Sequence, residues 1–206
     1  MDRKGALISF EGIDGAGKTT LVEMLREELE KQGNDVVKLR EPTRGKYGSK
    51  IYELAKQGTL TPENELELFI LDRKEDVEQN ILPALGSGKV VIMDRYYHSN
   101  MAYQAARGLD MNMIKDVNER FSPVPDLIIV MDIDPEVSLR RVDERKKVVD
   151  VVEHFENERF LKAVREKFLE ISKYPNAVSV DASLPAEEVK ENILSEVRHR
   201  LPWLFS

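Results

Sequence analysis

The chain carries the stretch Gly12-Ile13-Asp14-Gly15-Ala16-Gly17-Lys18-Thr19-Thr20. Residues 12–19 match the pattern G-x-x-x-x-G-K-S/T, in which glycines let successive backbone N–H groups point at phosphate oxygens. An apolar run at residues 6–10 precedes the stretch, and a segment with helical spacing of apolar residues follows it. Since the pattern requires this strand–loop–helix context, the sequence predicts a P-loop that binds nucleotide phosphates.

Apolar runs of strand length recur along the whole chain. They lie at residues 6–10, 36–39, 90–93, 127–131 and 177–180. Helix-length segments separate them, including one expected from about Pro62 to the turn at Gly86-Ser87-Gly88. This alternation predicts a doubly wound α/β fold, with a parallel five-stranded sheet flanked by helices. Ligands of such sheets bind at the carboxyl ends of the strands, where the P-loop begins.

Length and composition favour a single domain. With 206 residues and 41% hydrophobic composition, the chain can bury one sizeable core, so we expect residues 1–206 to form one unit. The stretch around residues 143–155 fits the α/β pattern poorly, because charged residues meet a Val-Val-Asp-Val-Val run without clear periodicity. We expect this stretch to be a mobile lid.

Composition also argues against several classes of protein. The absence of cysteine excludes disulfides, thiolate metal sites and cysteine nucleophiles. There is no uncharged apolar run of about 18 residues, and residues 1–5 lead directly into a strand, so we expect a cytoplasmic protein without a membrane partner. A net charge of -7 argues against an extended nucleic-acid surface. The expected partners are therefore small molecules.

A second acidic element is needed to hold a metal ion beside the P-loop. The apolar run at residues 90–93 ends in Asp94, which together with the Thr19 hydroxyl suits Mg²⁺. Asp132 follows another apolar run and is the alternative. We favour Asp94 because Arg95 follows it and places a cation beside the reacting phosphates. The guanine-reading N-K-x-D motif does not occur, which weighs against a GTPase switch.

Further motifs occur in a fixed order along the chain. They are residues 10–20, Arg40-Glu41-Pro42, Leu68-Phe69 with Asp72-Arg73, Asp94-Arg95-Tyr96, and Ser99 with Ala102-Tyr103-Gln104. In this combination the sequence resembles thymidylate kinases, especially the archaeal and bacterial forms. The resemblance continues through Pro125-Asp126-Leu127 and Val180-Asp181-Ala182-Ser183, and so covers about the first 185 residues.

The resemblance implies a P-loop kinase that uses Mg-ATP to phosphorylate dTMP to dTDP, and that forms a homodimer. One alternative keeps the fold but widens the acceptor range to dUMP or purine monophosphates. Another is a nucleotide-dependent switch that hydrolyses ATP only to change shape. Phe69, Arg73 and Arg95 weigh against the switch, because such a module has no evident need for them.

The resemblance also implies roles in recognising the thymine base and the sugar. The Phe69 ring would stack on thymine, and Arg73 would donate to a base carbonyl. Judged by residue type alone, Phe69 would be a core residue and Arg73 a solvated charge. Tyr103 would crowd the sugar C2′ and so favour deoxynucleotides. Two further contacts to base or sugar are implied, from Ser99 and Gln104.

Other implied roles concern the phosphates. Arg95 would bridge donor and acceptor phosphates, because a planar guanidinium suits bidentate capture of their oxygens. Asp14 would lie near the 3′-hydroxyl and phosphate of the acceptor. Arg44 would bind the monophosphate, and the Glu41-Pro42 bond beside it would be cis.

The remaining implied cation comes from the lid. Lys18 reaches the β/γ-phosphates, but Gly15 and Ala16 leave the P-loop without the arginine that some thymidylate kinases place there. We therefore expect Arg145 to supply it, with Arg141 and Lys147 as alternatives. Arg141 also matches a position that packs on the adenine of ATP in relatives. Where many relatives carry an arginine before an aromatic residue and a glutamate, this chain reads Glu153-His154-Phe155-Glu156.

Overall fold

A computed structural model describes residues 5–142 in full, the backbone of residues 143–145, and residues 158–205. Its sheet consists of parallel strands in the order β2-β3-β1-β4-β5. The strands are β1 (Ala6–Glu11), β2 (Val36–Arg40), β3 (Val90–Asp94), β4 (Leu127–Asp132) and β5 (Ala177–Asp181). The predicted parallel five-stranded sheet is confirmed.

Each strand runs one residue beyond its apolar run. The added residue is charged in every strand, and the set is Glu11, Arg40, Asp94, Asp132 and Asp181. The register pairs Arg40 and Phe10 with Asp94, so β2 and β3 end level with each other and β1 continues for one more residue, to Glu11. The backbone of each of these charged residues still belongs to its strand. Because all five strands are parallel, the charged residues come together at the carboxyl edge of the sheet.

Helices connect the strands and cover the sheet. They are α1 (Lys18–Lys31), α2 (Lys46–Gln57), α3 (Pro62–Asp76), α4 (Leu82–Gly86), α5 (Tyr97–Ala105), α6 (Met111–Glu119), α7 (Pro135–Arg145), α8 (Glu158–Ile171) and α9 (Ala186–Arg200). All residues of β1 and β3 are buried, as expected for central strands with helices on both faces. No helix in the described ranges is long and apolar enough to cross a membrane.

The long helix expected from Pro62 is present, with one irregular turn. Thr61 caps it by accepting a hydrogen bond from the Asn64 backbone N–H, and Pro62 occupies the first turn. A π-helical turn, Val77–Ile81, separates α3 from α4, and the Leu82 N–H donates to the Val77 carbonyl five residues back. Pro83 follows directly, and because it has no N–H the regular α-helical ladder is interrupted there.

Candidate active site

The P-loop joins β1 to α1 in backbone conformations that require glycine. Gly12 has a φ of 138°, and a Cβ there would lie 2.6 Å from the Met131 carbonyl oxygen. Gly15 has a φ of 82°, and a Cβ there would lie 2.6 Å from the Ser138 carbonyl oxygen. No side chain caps the start of α1, so its first N–H groups face the loop, as in an anion-binding site.

Lys18 lies folded back over this loop. Its Nζ donates to the carbonyl oxygens of Gly12 at 2.9 Å and Ile13 at 2.8 Å, and only 6% of the residue is exposed. These two bonds hold the ammonium inside the curve of the loop, where a phosphate chain would lie. Ile13, Ala16 and Thr20, the other predicted members of the loop, complete the turn into α1.

The two candidate metal-binding acids have different hydrogen-bond partners. The Thr19 hydroxyl donates to Asp94 Oδ2 at 2.6 Å. Asp132 instead accepts two hydrogen bonds from Arg165, at 2.6 and 2.9 Å. The hydroxyl and carboxylate oxygens of Thr19 and Asp94 form a donor set that fits Mg²⁺, which keeps water and phosphate oxygens as its other ligands. Within the described ranges no cluster of three or more His, Asp or Glu side chains could hold a metal alone.

A cleft of about 880 Å³, partly open to solvent, adjoins the P-loop. It lies between the strand ends and the helices α2, α3 and α5. All but one of the residues predicted for the acceptor site line it: Asp14, Pro42, Phe69, Arg73, Arg95, Ser99, Tyr103 and Gln104. The exception is Arg44, which is exposed and stacks 4.9 Å from the ring centroid of Tyr52, itself a lining residue.

Arg95 connects this cleft to the P-loop. It has a φ of 73°, a left-handed conformation that is costly for a residue with a Cβ and is found at functional sites. Its Nη1 donates to the Gly12 carbonyl and to Ser99 Oγ, both at 3.1 Å, and its Nη2 donates to Asp14. Its guanidinium also lies 5.3 Å from the ring centroid of Tyr103. Arg95 therefore contacts both the P-loop and the wall of the cleft.

Arg73 is buried, and so is not the solvated charge that its residue type alone suggests. Only 1% of it is exposed. Its Nε and Nη2 donate to Glu41, the former at 2.8 Å, while Nη1 donates to Asn118 at 2.6 Å and Nη2 to Asn100 at 2.7 Å. The guanidinium is thereby fixed at the wall of the cleft. The Glu41-Pro42 bond beside it is cis, as the resemblance implied.

The sequence patterns gave Glu11 no predicted role, although a carboxylate directly after an apolar run is a signal that could have identified it. It is fully buried, accepts from Ser99 Oγ at 2.6 Å, and accepts from the Tyr96 backbone N–H at 2.9 Å. Burial raises its pKa to about 7, and the Ser99 hydrogen bond and the charge of Arg95 oppose that rise. Glu11 thus holds Tyr96 and Ser99, which both follow Arg95 in the chain.

Helix α7 contacts the P-loop and the end of β5. Ser138 Oγ donates to the Asp14 carbonyl, and Arg141 donates to the carbonyl oxygens of Ala182 at 2.8 Å and Ser183 at 3.1 Å. Arg141 is therefore close to the loop that follows β5. Arg145 is the last residue of α7, and its side chain lies outside the described residues. The same holds for the predicted lid at 143–155, apart from the backbone of 143–145.

Comparison with known proteins identifies the family. The family model described as Thymidylate kinase matches residues 10–193. The chain is 49% identical to a probable thymidylate kinase of Archaeoglobus fulgidus over 187 residues, covering 91% of this chain and 92% of that protein. It is 42% identical to a thymidylate kinase of Akkermansia muciniphila over 201 residues, covering 98% and 95% of the two chains. A thymidylate kinase of Brachyspira hyodysenteriae is 38% identical over 195 residues, with 95% and 94% covered. The chain belongs to the thymidylate kinase family.

Proposed function

We propose that this protein transfers the γ-phosphate of ATP to dTMP, giving ADP and dTDP. One observation carries the proposal beyond family membership. Arg95 donates to the Gly12 carbonyl of the P-loop and lies in the wall of the adjoining cleft. A cation at this junction faces a donor phosphate chain on one side and an acceptor phosphate on the other.

The donor half of the site is the P-loop, residues 12–20. Its backbone N–H groups and Lys18 would hold the β- and γ-phosphates. Thr19 and Asp94 would hold Mg²⁺, which when bound neutralises charge on the β- and γ-phosphate oxygens. Arg141, which donates to the carbonyls of Ala182 and Ser183, is assigned to packing its planar guanidinium on the adenine ring.

The acceptor half is the cleft. Phe69 is half-buried and lines the cleft, so its exposed ring surface can stack on the thymine base. Arg73 and Gln104 form the polar wall for the base, and Tyr103 lies beside Arg95, where it would restrict the sugar. Asp14, Pro42, Arg44 and Ser99 are assigned to the sugar and phosphate.

The reaction needs positioned charge more than it needs a general base. A nucleoside monophosphate is already largely ionised at neutral pH, because the second pKa of a phosphate monoester is about 6. Lys18, Arg95 and a lid cation, assigned to Arg145, would neutralise the transferred phosphoryl group. Burial lowers the pKa of His98 to about 3, so this histidine is uncharged at physiological pH and no catalytic role is assigned to it.

The proposal includes the organisation of the protein. Residues 1–206 would form one P-loop kinase domain with a lid at 143–155. Two copies would form a homodimer in the cytoplasm. The dimer would produce dTDP for dTTP synthesis. Analytical ultracentrifugation at micromolar concentration tests the dimer, and a single monomeric species would contradict it.

The test of the activity is ADP formation from Mg-ATP with dTMP, dUMP, TMP, dGMP, dCMP or AMP supplied singly. We expect dTMP to give the highest kcat/KM. If kcat/KM for dUMP or for purine monophosphates equals that for dTMP, the protein is a broad-specificity kinase and not one selective for dTMP. Hydrolysis that does not depend on any acceptor would indicate a nucleotide switch and contradict the kinase assignment.

A further inference from the structure

Four buried side chains form a hydrogen-bonded row along the wall of the cleft. Arg73 Nη2 donates to Asn100 Oδ1 at 2.7 Å, Asn100 Nδ2 donates to Gln104 Oε1 at 3.4 Å, and Gln104 Nε2 donates to Glu65 Oε2 at 2.8 Å. The four residues are between 1% and 7% exposed. All four also line the cleft.

The two ends of this row fix the direction of every bond in it. A guanidinium can only donate, so Asn100 must turn its carbonyl oxygen toward Arg73 and its amino group toward Gln104. An ionised carboxylate can only accept, so Gln104 must turn its amino group toward Glu65. Without a charged group at each end, either amide could rotate by half a turn at little cost.

Arg107 supports the charged state of Glu65. Its Nη1 donates to the same oxygen, Oε2, at 2.6 Å. Burial raises the pKa of the Glu65 carboxyl, and the charge of Arg107 opposes that rise. Glu65 therefore serves as an acceptor at the far end of the row.

We propose that Glu65 is a specificity-determining residue, which holds the Gln104 amide in the orientation that selects a thymine-like base over cytosine. The inference rests on the proposed function, since it places the base against Gln104. In the fixed orientation, Gln104 offers an acceptor lone pair on its Asn100 side and an N–H on its Glu65 side. A pyrimidine with an N3–H and a C4 carbonyl is complementary to that pair.

Cytosine presents the opposite polarity, with an acceptor at N3 and an amino group at C4. To bind it, Gln104 would have to turn its oxygen toward the Glu65 carboxylate and its amino group toward the Asn100 amino group. Both contacts would be repulsive in a buried site, where unpaired polar groups are costly. Glu65 thus acts against dCMP through its contact with Gln104, and Gln104 is the residue that contacts the base.

The test is the ratio of kcat/KM for dTMP to kcat/KM for dCMP. Glu65→Gln keeps the size of the side chain but removes the acceptor-only end, and we expect the ratio to fall at least ~10-fold. Glu65→Asp keeps a carboxylate and is expected to retain the preference better than Glu65→Gln. In a Gln104→Ala background, Glu65→Gln should change the ratio less than ~2-fold, because its effect passes through Gln104.

A second variant acts from the other end of the row. Asn100→Asp places an acceptor-only group against Gln104 Oε1, which favours the reversed amide and should also lower the ratio. Melting temperature and KM for ATP report folding in each variant. The inference is overturned if this ratio stays within ~2-fold of wild type in every folded variant at positions 65 and 100. It is also overturned if Glu65→Gln changes the ratio equally in the wild-type and Gln104→Ala backgrounds. Wild-type protein that is inactive on dTMP would instead overturn the proposed function.

Discussion

Replacing Arg73 by methionine tests whether the buried polar wall of the cleft is held together by charge. Arg73 and Glu41 are 1% and 2% exposed, so the ion pair between them is almost fully removed from water. Burial raises the pKa of Glu41 to about 8, and the charge of Arg73 opposes that rise. Without Arg73 the Glu41 carboxyl must be buried either as an uncompensated charge or in its protonated form, and breaking such a buried pair typically costs about 3–5 kcal/mol. Asn100 and Asn118 would lose a donor as well. Against a total stability on the order of 5–15 kcal/mol, this is a large fraction.

The assay is urea unfolding at pH 7, with the free energy of unfolding obtained by linear extrapolation. We expect Arg73→Met to lower it by about 3–5 kcal/mol. The control is the double variant Glu41→Gln/Arg73→Met, which removes both charges and should recover at least about 1 kcal/mol of the loss. A loss under ~1 kcal/mol in the single variant, or no recovery in the double variant, would refute the reasoning.

Three further predictions concern activity and pH. Phe69→Ala should raise KM for dTMP roughly 5- to 150-fold while sparing KM for ATP, since a stacked base contributes about 1–3 kcal/mol; an equal rise in both KM values would indicate misfolding. Because burial raises the folded-state pKa of Glu11 from 4.5 to about 7, the neutral form stabilises the fold at low pH, and this contribution is lost between pH 4.5 and 7. The stability of wild type relative to Glu11→Gln should therefore fall by on the order of 3 kcal/mol from pH 4.5 to 8 in urea unfolding, and a difference that stays constant or grows would contradict the assignment. Arg145→Ala should lower kcat at least ~100-fold in steady-state assays, and an unchanged kcat would move the role to Arg141 or Lys147.

Local patterns in the sequence were sufficient for the strands and the P-loop. A parallel strand buried on both faces reads as a continuous apolar run, and the glycine pattern at residues 12–19 has a direct backbone cause. The order of the strands in the sheet did not follow from these runs, because strand order depends on pairings between distant segments. The ends of the strands were each placed one residue short, since the final residue is charged although its backbone still pairs.

The polar wall of the cleft was only partly predictable. Phe69, Arg73 and Gln104 were found through resemblance, but Glu65 lies in an acidic helical segment that reads as a solvent-exposed surface. Its burial follows from contacts with Gln104 and Arg107, which are 39 and 42 residues away in the chain. The partners of Arg73 are equally remote, at Glu41 and Asn118. Such contacts leave no periodic signal in the sequence.

The most direct test of the two-sided site is a crystal structure of the protein with dTMP bound. We predict that the thymine ring packs against the Phe69 ring and that the phosphate accepts hydrogen bonds from Arg95, facing the P-loop. A dTMP molecule bound away from this cleft, or with its phosphate in the P-loop and its base outside the cleft, would contradict the account.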